Sequence, residues 1–181
     1  MFRDRIQTGH GERSWESVIK NGALDPNTYG GKWEVLGSSL TVNALTEGAW
    51  LCATEKVVED FEFKTALTAV SGGRASIFFR QHENGMKCYE FDLQCELQAI
   101  VVTIFNGNDK KQRNIISAVN YEILKNKEYD IEIAMRGESI TTYVNGQLVN
   151  QVRDGTYRQG HICLTAWHSK ARFRDPKILI Y

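Results

Sequence analysis

From Trp33 onward, apolar and polar residues alternate over short runs that end in turn-forming residues. Phe61, Phe63 and Leu67 alternate with Glu62, Lys64 and Ala66, and Tyr129, Ile131, Ile133 and Met135 alternate with Asp130, Glu132 and Ala134. A period of two places successive side chains on opposite faces, so these runs predict half-buried strands. The pattern predicts strands over 33–36, 40–43, 49–54, 61–70, 75–81, 87–94, 99–106, 114–118, 129–136, 140–144, 147–152, 161–167 and 172–181. Asn84-Gly85 and Asn145-Gly146 are hairpin dipeptides, because both central residues of a type I′ turn need positive φ. Gly72-Gly73, Arg136-Gly137 and Asp154-Gly155 mark further reversals, and the two prolines, Pro26 and Pro176, lie near the ends.

Many short strands joined by turns predict an all-β, antiparallel two-sheet sandwich, with residues 33–181 as one domain. Residues 1–32 form a less regular leader expected to pack on the sandwich. Within it, residues 14–20 read as a short helix with Ser14 as N-cap and Asn21-Gly22 as stop, and residues 25–31 as a turn-rich loop.

The chain has 181 residues, enough for one full core, with 22 basic and 22 acidic residues and a formal net charge of zero. No global field draws in nucleic acid or an anionic membrane, and Lys110, Lys111 and Arg113 beside Asn106-Gly107-Asn108-Asp109 read as a solvated turn. No apolar run approaches the roughly 18 residues of a membrane span. The first residues lack the apolar stretch of a secretory signal, so the expectation is either a cytoplasmic protein or a module excised from a secreted one. Cys52, Cys88, Cys95 and Cys163 show no paired spacing and fall in predicted strands, which predicts buried thiols; in an exported module the four could instead pair, with a connectivity the sequence leaves open. No cofactor is expected; Asp25, Asn27, Asp154 and Asp175 are candidate oxygen donors to a structural calcium.

Candidate chemistry gathers where polar groups interrupt the apolar rhythm. Glu90, Asp92, Gln94 and Glu96 alternate with Tyr89, Phe91, Leu93 and Cys95, so they predict one polar strand face, either solvated or filled by ligand. Arg80 ends the preceding strand. If Asn84-Gly85 closes a two-residue hairpin, Arg80 shares a face with Tyr89; an odd loop puts it on the face of Glu90, as a joint binding site requires. A guanidinium and a carboxylate together suit vicinal hydroxyls; the plainer alternative is a cross-strand salt bridge. Trp167, followed by the polar His168-Ser169-Lys170, is either a stacking platform for a sugar or a cap on the core. Trp33 and Trp50 are expected in the core. His10, His82, His161 and His168 have no nucleophile motif beside them.

The ordered series Asp60-Phe61-Glu62-Phe63, Ile77-Phe78-Phe79-Arg80, Tyr89-Glu90-Phe91, Tyr143-Val144-Asn145-Gly146, Gly160-His161-Ile162-Cys163-Leu164 and Phe173-Arg174-Asp175 resembles the concanavalin A-like jelly rolls. Within them it is most similar to levan-type carbohydrate-binding modules and to the keto-disaccharide hydrolase-like domain. The resemblance covers roughly residues 33–181. It implies a jelly roll with a ligand site on or at the rim of one sheet, Arg80 and Glu90 as a polar clamp, Trp167 as an aromatic wall, and Asp60 and Asp92 as further polar contacts. The Asn-Ser-Gly turn common before the arginine strand is replaced here by Gly72-Gly73-Arg74-Ala75-Ser76. Glu90, Asp92 and Glu96 also invite comparison with the catalytic strand of laminarinases. Strand residues six apart stand on the order of 20 Å from each other, too far to flank one glycosidic bond.

The resulting expectation is a non-catalytic module binding an oligo- or polysaccharide through a terminal sugar such as fructose, associated with a glycoside hydrolase domain, with no nucleic-acid or membrane partner. The alternatives are a glycoside hydrolase of the keto-disaccharide type acting through Glu90 or Asp92, and a purely structural sandwich.

Overall fold

The computed structural model describes residues 14–19, 28–54, 57–82, 86–107 and 113–181, and every regular element among them is a strand. These are β1 (Glu16–Ser17), β2 (Thr28–Tyr29), β3 (Lys32–Leu36), β4 (Ser39–Cys52), β5 (Phe61–Gln81) and β6 (Lys87–Gln94). They continue with β7 (Ala99–Asn106), β8 (Arg113–Asn120), β9 (Glu128–Arg136), β10 (Ser139–Val144), β11 (Gln147–Arg153) and β12 (His161–Ile180). The alternation is kept as read: Tyr129, Ile131, Ile133 and Met135 of β9 are buried, while the residues between them are not.

All pairings between strands are antiparallel, and they build a two-sheet sandwich. The front sheet runs β8-β7-β6, then the second half of β5, the first half of β12, the second half of β4, and β2. The back sheet runs β11-β10-β9, then the first half of β5, the second half of β12, the first half of β4, and β3. Between them lies one apolar core. The front sheet supplies Ile77, Phe79, Tyr89 and Phe91, and the back sheet Phe63, Ile133, Met135 and Phe173.

Three pairs of predicted strands are single continuous ones. Residues 40–43 with 49–54, 61–70 with 75–81, and 161–167 with 172–181 belong to β4, β5 and β12, each crossing from one sheet to the other. At the bend of β5, Gly72 has φ of +82°, and a Cβ there would lie 2.3 Å from the carbonyl oxygen of His168, itself at φ 47°. Only glycine admits that approach between two bending strands.

The predicted helix is not formed in residues 14–19. Instead Glu16 and Ser17 pair with Ile178 and Lys177, and the Val18 amide donates to Pro176 O. Joining an existing strand gives these amides partners at once, whereas a seven-residue helix leaves four of them unmet. Its proposed stop, Asn21-Gly22, lies outside the described residues, as do Asp25, Asn27 and the Asn84-Gly85 dipeptide. The second hairpin dipeptide behaves as expected: Asn145 and Gly146 have φ of 51° and 76° between paired Val144 and Gln147.

Candidate functional site

The period of two gives the front sheet a second, outward face. Register sets Trp167 beside Arg74, Thr165 beside Ser76, and Cys163 beside Phe78. It continues with Ser76 beside Asp92, Phe78 beside Glu90 and Arg74 beside Gln94, and with Glu90 beside Thr103 on β7. Phe78, Cys88 and Cys163 form a small apolar cluster there, packed by Trp50, Cys52, Met86, Phe105 and Trp167.

Within this face two carboxylates meet two arginines. Arg74 Nε donates to Asp92 Oδ2 at 2.8 Å, and its Nη2 reaches both Glu90 oxygens at 3.2 Å. Arg113, from the start of β8, places Nη2 3.6 Å from Glu90 Oε2 and 3.7 Å from Asp92 Oδ2, with its guanidinium over the Phe105 ring. Gln94 donates to Asp92 Oδ2 at 2.7 Å. The Glu90 and Asp92 side chains have no exposed surface, whereas those of Arg74 and Arg113 are 29% and 25% exposed. Solvent therefore meets the arginines, and the carboxylates orient them from below.

Burial pushes the Glu90 carboxyl up to about 8, and neighbouring Asp92 pushes the same way against the opposing pull of Arg74 and Arg113. Burial also raises Asp92, with Arg74 opposing. With burial and Asp92 both raising it, the Glu90 carboxyl favours its proton at neutral pH. Several polar atoms in the cluster lack a hydrogen-bond partner among the described residues: Asp92 Oδ1, Thr103 Oγ1, and Arg113 Nε and Nη2. Buried polar atoms are rarely left so, and a ligand or solvent molecule entering here would satisfy them.

Beside the ionic cluster the face turns aromatic. A Cβ on Gly48 would meet the Trp167 ring 2.3 Å away, so the indole lies across the bare backbone of β4. Trp50 stacks on Tyr29 with centroids 4.1 Å apart and planes 16° apart. Trp50 therefore belongs to this outer face and not to the core, while Trp33 packs against the core as expected.

Glu90, Asp92 and Trp167 come together as the sequence predicts, and Gln94 with them; Arg80 and Asp60 do not. The register does follow the odd-loop alternative, Phe78 opposite Glu90, which would give Arg80 the face of Glu90. Arg80, however, has φ of 50°, which breaks the pleat and turns its side chain away. Its guanidinium is sealed, donating to Tyr157 O at 2.8 Å and Glu59 O at 2.8 and 3.1 Å, with Asp60 Oδ1 at 3.4 Å. Asp60 Oδ1 also accepts from the Gly137 amide. The expected pairing is thus corrected: the guanidinium groups beside Glu90 are those of Arg74 and Arg113, not that of Arg80. Arg74 and Ser76 alternate with Ala75 and Ile77, a signal hidden in a segment resembling a glycine turn. Glu96 lies in the turn after β6, near Gly73. Of the calcium candidates, Asp154 accepts from Tyr89 Oη and the Thr156 amide, and Asp175 pairs with Arg174. Among the described residues no three His, Cys, Asp or Glu side chains are grouped to hold a metal.

The back sheet carries an outer depression lined by Lys64, Asp130, Glu132, Tyr143 and Arg174. Two of its basic groups are partly exposed and paired, Lys64 with Glu132 at 3.2 Å and Arg174 with Glu128 at 2.6 Å.

Residues 5–179 match the family described as the 3-keto-alpha-glucoside-1,2-lyase-like domain. No curated protein sequence matches the chain significantly. Among solved structures, the carbohydrate binding module CBM66 from Bacillus subtilis aligns with a TM-score of 0.74 at 16% identity, covering 93% of this chain and 97% of that one. A putative glycosyl hydrolase from Parabacteroides distasonis gives 0.64 at 13%, covering 93% and 100%. A β-1,3-1,4-glucanase (lichenase) from a mouse hindgut metagenome gives 0.63 at 10%, covering 93% and 98%. At these identities the likeness establishes the fold, the concanavalin A-like jelly roll.

Proposed function

Because this chain belongs to the 3-keto-alpha-glucoside-1,2-lyase-like domain family, we propose that the outer face of its front sheet binds carbohydrate without cleaving it. The observation that carries the reading is the juxtaposition of partly exposed, carboxylate-oriented arginines with an indole laid flat on the same sheet. Guanidinium groups fixed by Glu90 and Asp92 present donors in a rigid fork suited to vicinal hydroxyls. Trp167 offers an apolar surface to the C–H face of a pyranose or furanose ring. Two arginines set against two acids leave the cluster at most about one net positive charge, a weak field for drawing in a phosphate or sulfate.

Neighbouring strands are about 4.8 Å apart, so Trp50, three strands from Asp92, stands on the order of 14 Å from it. A glycan of two or three units spans that distance, its terminal sugar, such as fructose, against Arg74 and Arg113 and a following ring near Trp167 and Trp50. The neighbour named as a carbohydrate-binding module supports a sugar-binding role, and the role proposed with it is that of an accessory to a glycoside hydrolase domain.

Affinity electrophoresis on fructans, glucans and xylans tests the proposal. Retardation by at least one of them, lost in Arg113→Ala and in Trp167→Ala at unchanged melting temperature, is the expected result. Migration unaffected by every polysaccharide, or binding that survives both substitutions, rejects the site.

One feature favours a second, catalytic reading: two buried carboxyls, Glu90 and Asp92, both raised by burial, share the Arg74 guanidinium. Elimination from a 3-keto-glucoside needs a base for the C2 proton and an acid for the departing glycosidic oxygen, the roles that such a pair can fill. Release of reducing sugar from 3-keto-α-glucosides, abolished in Glu90→Gln, would establish it.

A further inference from the structure

We propose that Cys52 and Cys163 form a cross-strand disulfide site on the outer face of the front sheet. The two residues are register partners on β4 and β12. The next pair along, Ala53 and Ile162, is hydrogen-bonded, the Ala53 amide donating to Ile162 O at 2.7 Å. In an antiparallel ladder the pairs alternate, so Cys52 and Cys163 occupy a non-hydrogen-bonded position, where Cα atoms approach to about 4.5 Å. That spacing lies within the range a disulfide accepts. Their Sγ atoms stand 2.8 Å apart. A bond of about 2.05 Å needs only a small further approach, with no change of strand register.

The surroundings select this pair. Cys88 belongs to the same cluster but lies two strands from Cys163, on the order of 10 Å away, too far to bridge without moving backbone. Cys95 packs in the core on the other side of the sheet. Cys52 is half-buried and Cys163 is fully buried, so an oxidant reaches Cys52 first. Burial also holds the Cys163 thiol well above its ordinary range.

With a small-molecule disulfide as oxidant, the Cys52 thiolate attacks one of its sulfurs. That S–S bond breaks, and the first small thiol leaves with a proton. Cys163 then loses its proton and attacks Cys52 Sγ, breaking the mixed disulfide and releasing the second small thiol. Two protein thiols are oxidised and one disulfide is reduced to two thiols.

Oxidised glutathione is the probe. The folded protein is incubated with it, alkylated, and digested without reduction for peptide mass mapping. The expected result is a Cys52–Cys163 linked peptide, with thiol titration in denaturant falling from four to two; Cys88→Ser retains the link and Cys52→Ser loses it. Four titratable thiols after incubation, a glutathione adduct persisting on Cys52 with Cys163 still reduced, or a link through Cys88 or Cys95 would overturn the proposal.

Discussion

Replacing Glu90 by glutamine should change how stability depends on pH more than it changes stability itself. Glu90 is fully buried, and its carboxyl is raised from 4.5 to about 8, chiefly by burial and then by Asp92. The native state thus holds this proton more tightly than the unfolded chain does. The corresponding stability is fully present below pH 4.5 and is lost as pH rises through about 8. Between those limits one extra bound proton gives a slope of at most about 1.4 kcal/mol per pH unit, or up to about 2.7 kcal/mol between pH 5.5 and 7.5. Glutamine resembles the protonated acid in shape and charge but does not titrate. The difference in unfolding free energy between Glu90→Gln and the unsubstituted protein should therefore move in favour of the variant as pH rises across that window. Urea titrations followed by tryptophan fluorescence measure it, and histidines and other groups common to both proteins cancel in the difference. A difference that stays flat from pH 5.5 to 8.5 would show that Arg74 and Arg113 keep Glu90 ionised throughout, and the reasoning would fail.

Arg80→Met should destabilise the fold by about 3 kcal/mol, because the carbonyls of Glu59 and Tyr157 lose a buried charged donor. Its glycan retardation should be unchanged; loss of binding at unaltered stability would place Arg80 at the ligand after all. Gly48→Ala drives a methyl into the Trp167 ring, so an altered tryptophan emission, weaker glycan binding and a cost of about 1–3 kcal/mol are expected. Unchanged emission and affinity would show that the indole does not need the bare backbone. Trp50→Ala should weaken trisaccharide binding roughly tenfold while leaving monosaccharide affinity intact, as isothermal titration can resolve. An equal loss for both would mean that Trp50 shapes the terminal-sugar position.

The sandwich was legible because period-two alternation survives burial: β7 begins and ends where the pattern places it, and β9 buries the four residues it marks. The pattern divides three continuous strands, two of them because Gly72-Gly73 and His168-Ser169-Lys170 look like turns, whereas there the ladder bends and the chain continues in the same direction. The site was half legible for a related reason. Glu90, Asp92 and Gln94 declare a polar face by alternation alone. Arg80 would share that face in a regular strand, and its positive φ, stabilised by carbonyls from residues 59 and 157, has no local signature in sequence. Arg113 was concealed by the charged residues before it, and Trp50 by an apolar neighbourhood that serves the core on one face only.

β12 is an interior strand of both layers, pairing with β4 and β5 along nearly its whole length. Its partners precede it by about a hundred residues, so neither layer can join β4 to β5 until residues 161–180 are available. During translation β4 and β5 would wait with exposed ladder edges, a state of high contact order that is slow to fold and open to mispairing. Chaperone dependence and refolding yield should therefore respond more to substitutions in β12 than to equally buried ones in the β9–β10 hairpin, which can form as soon as it is made.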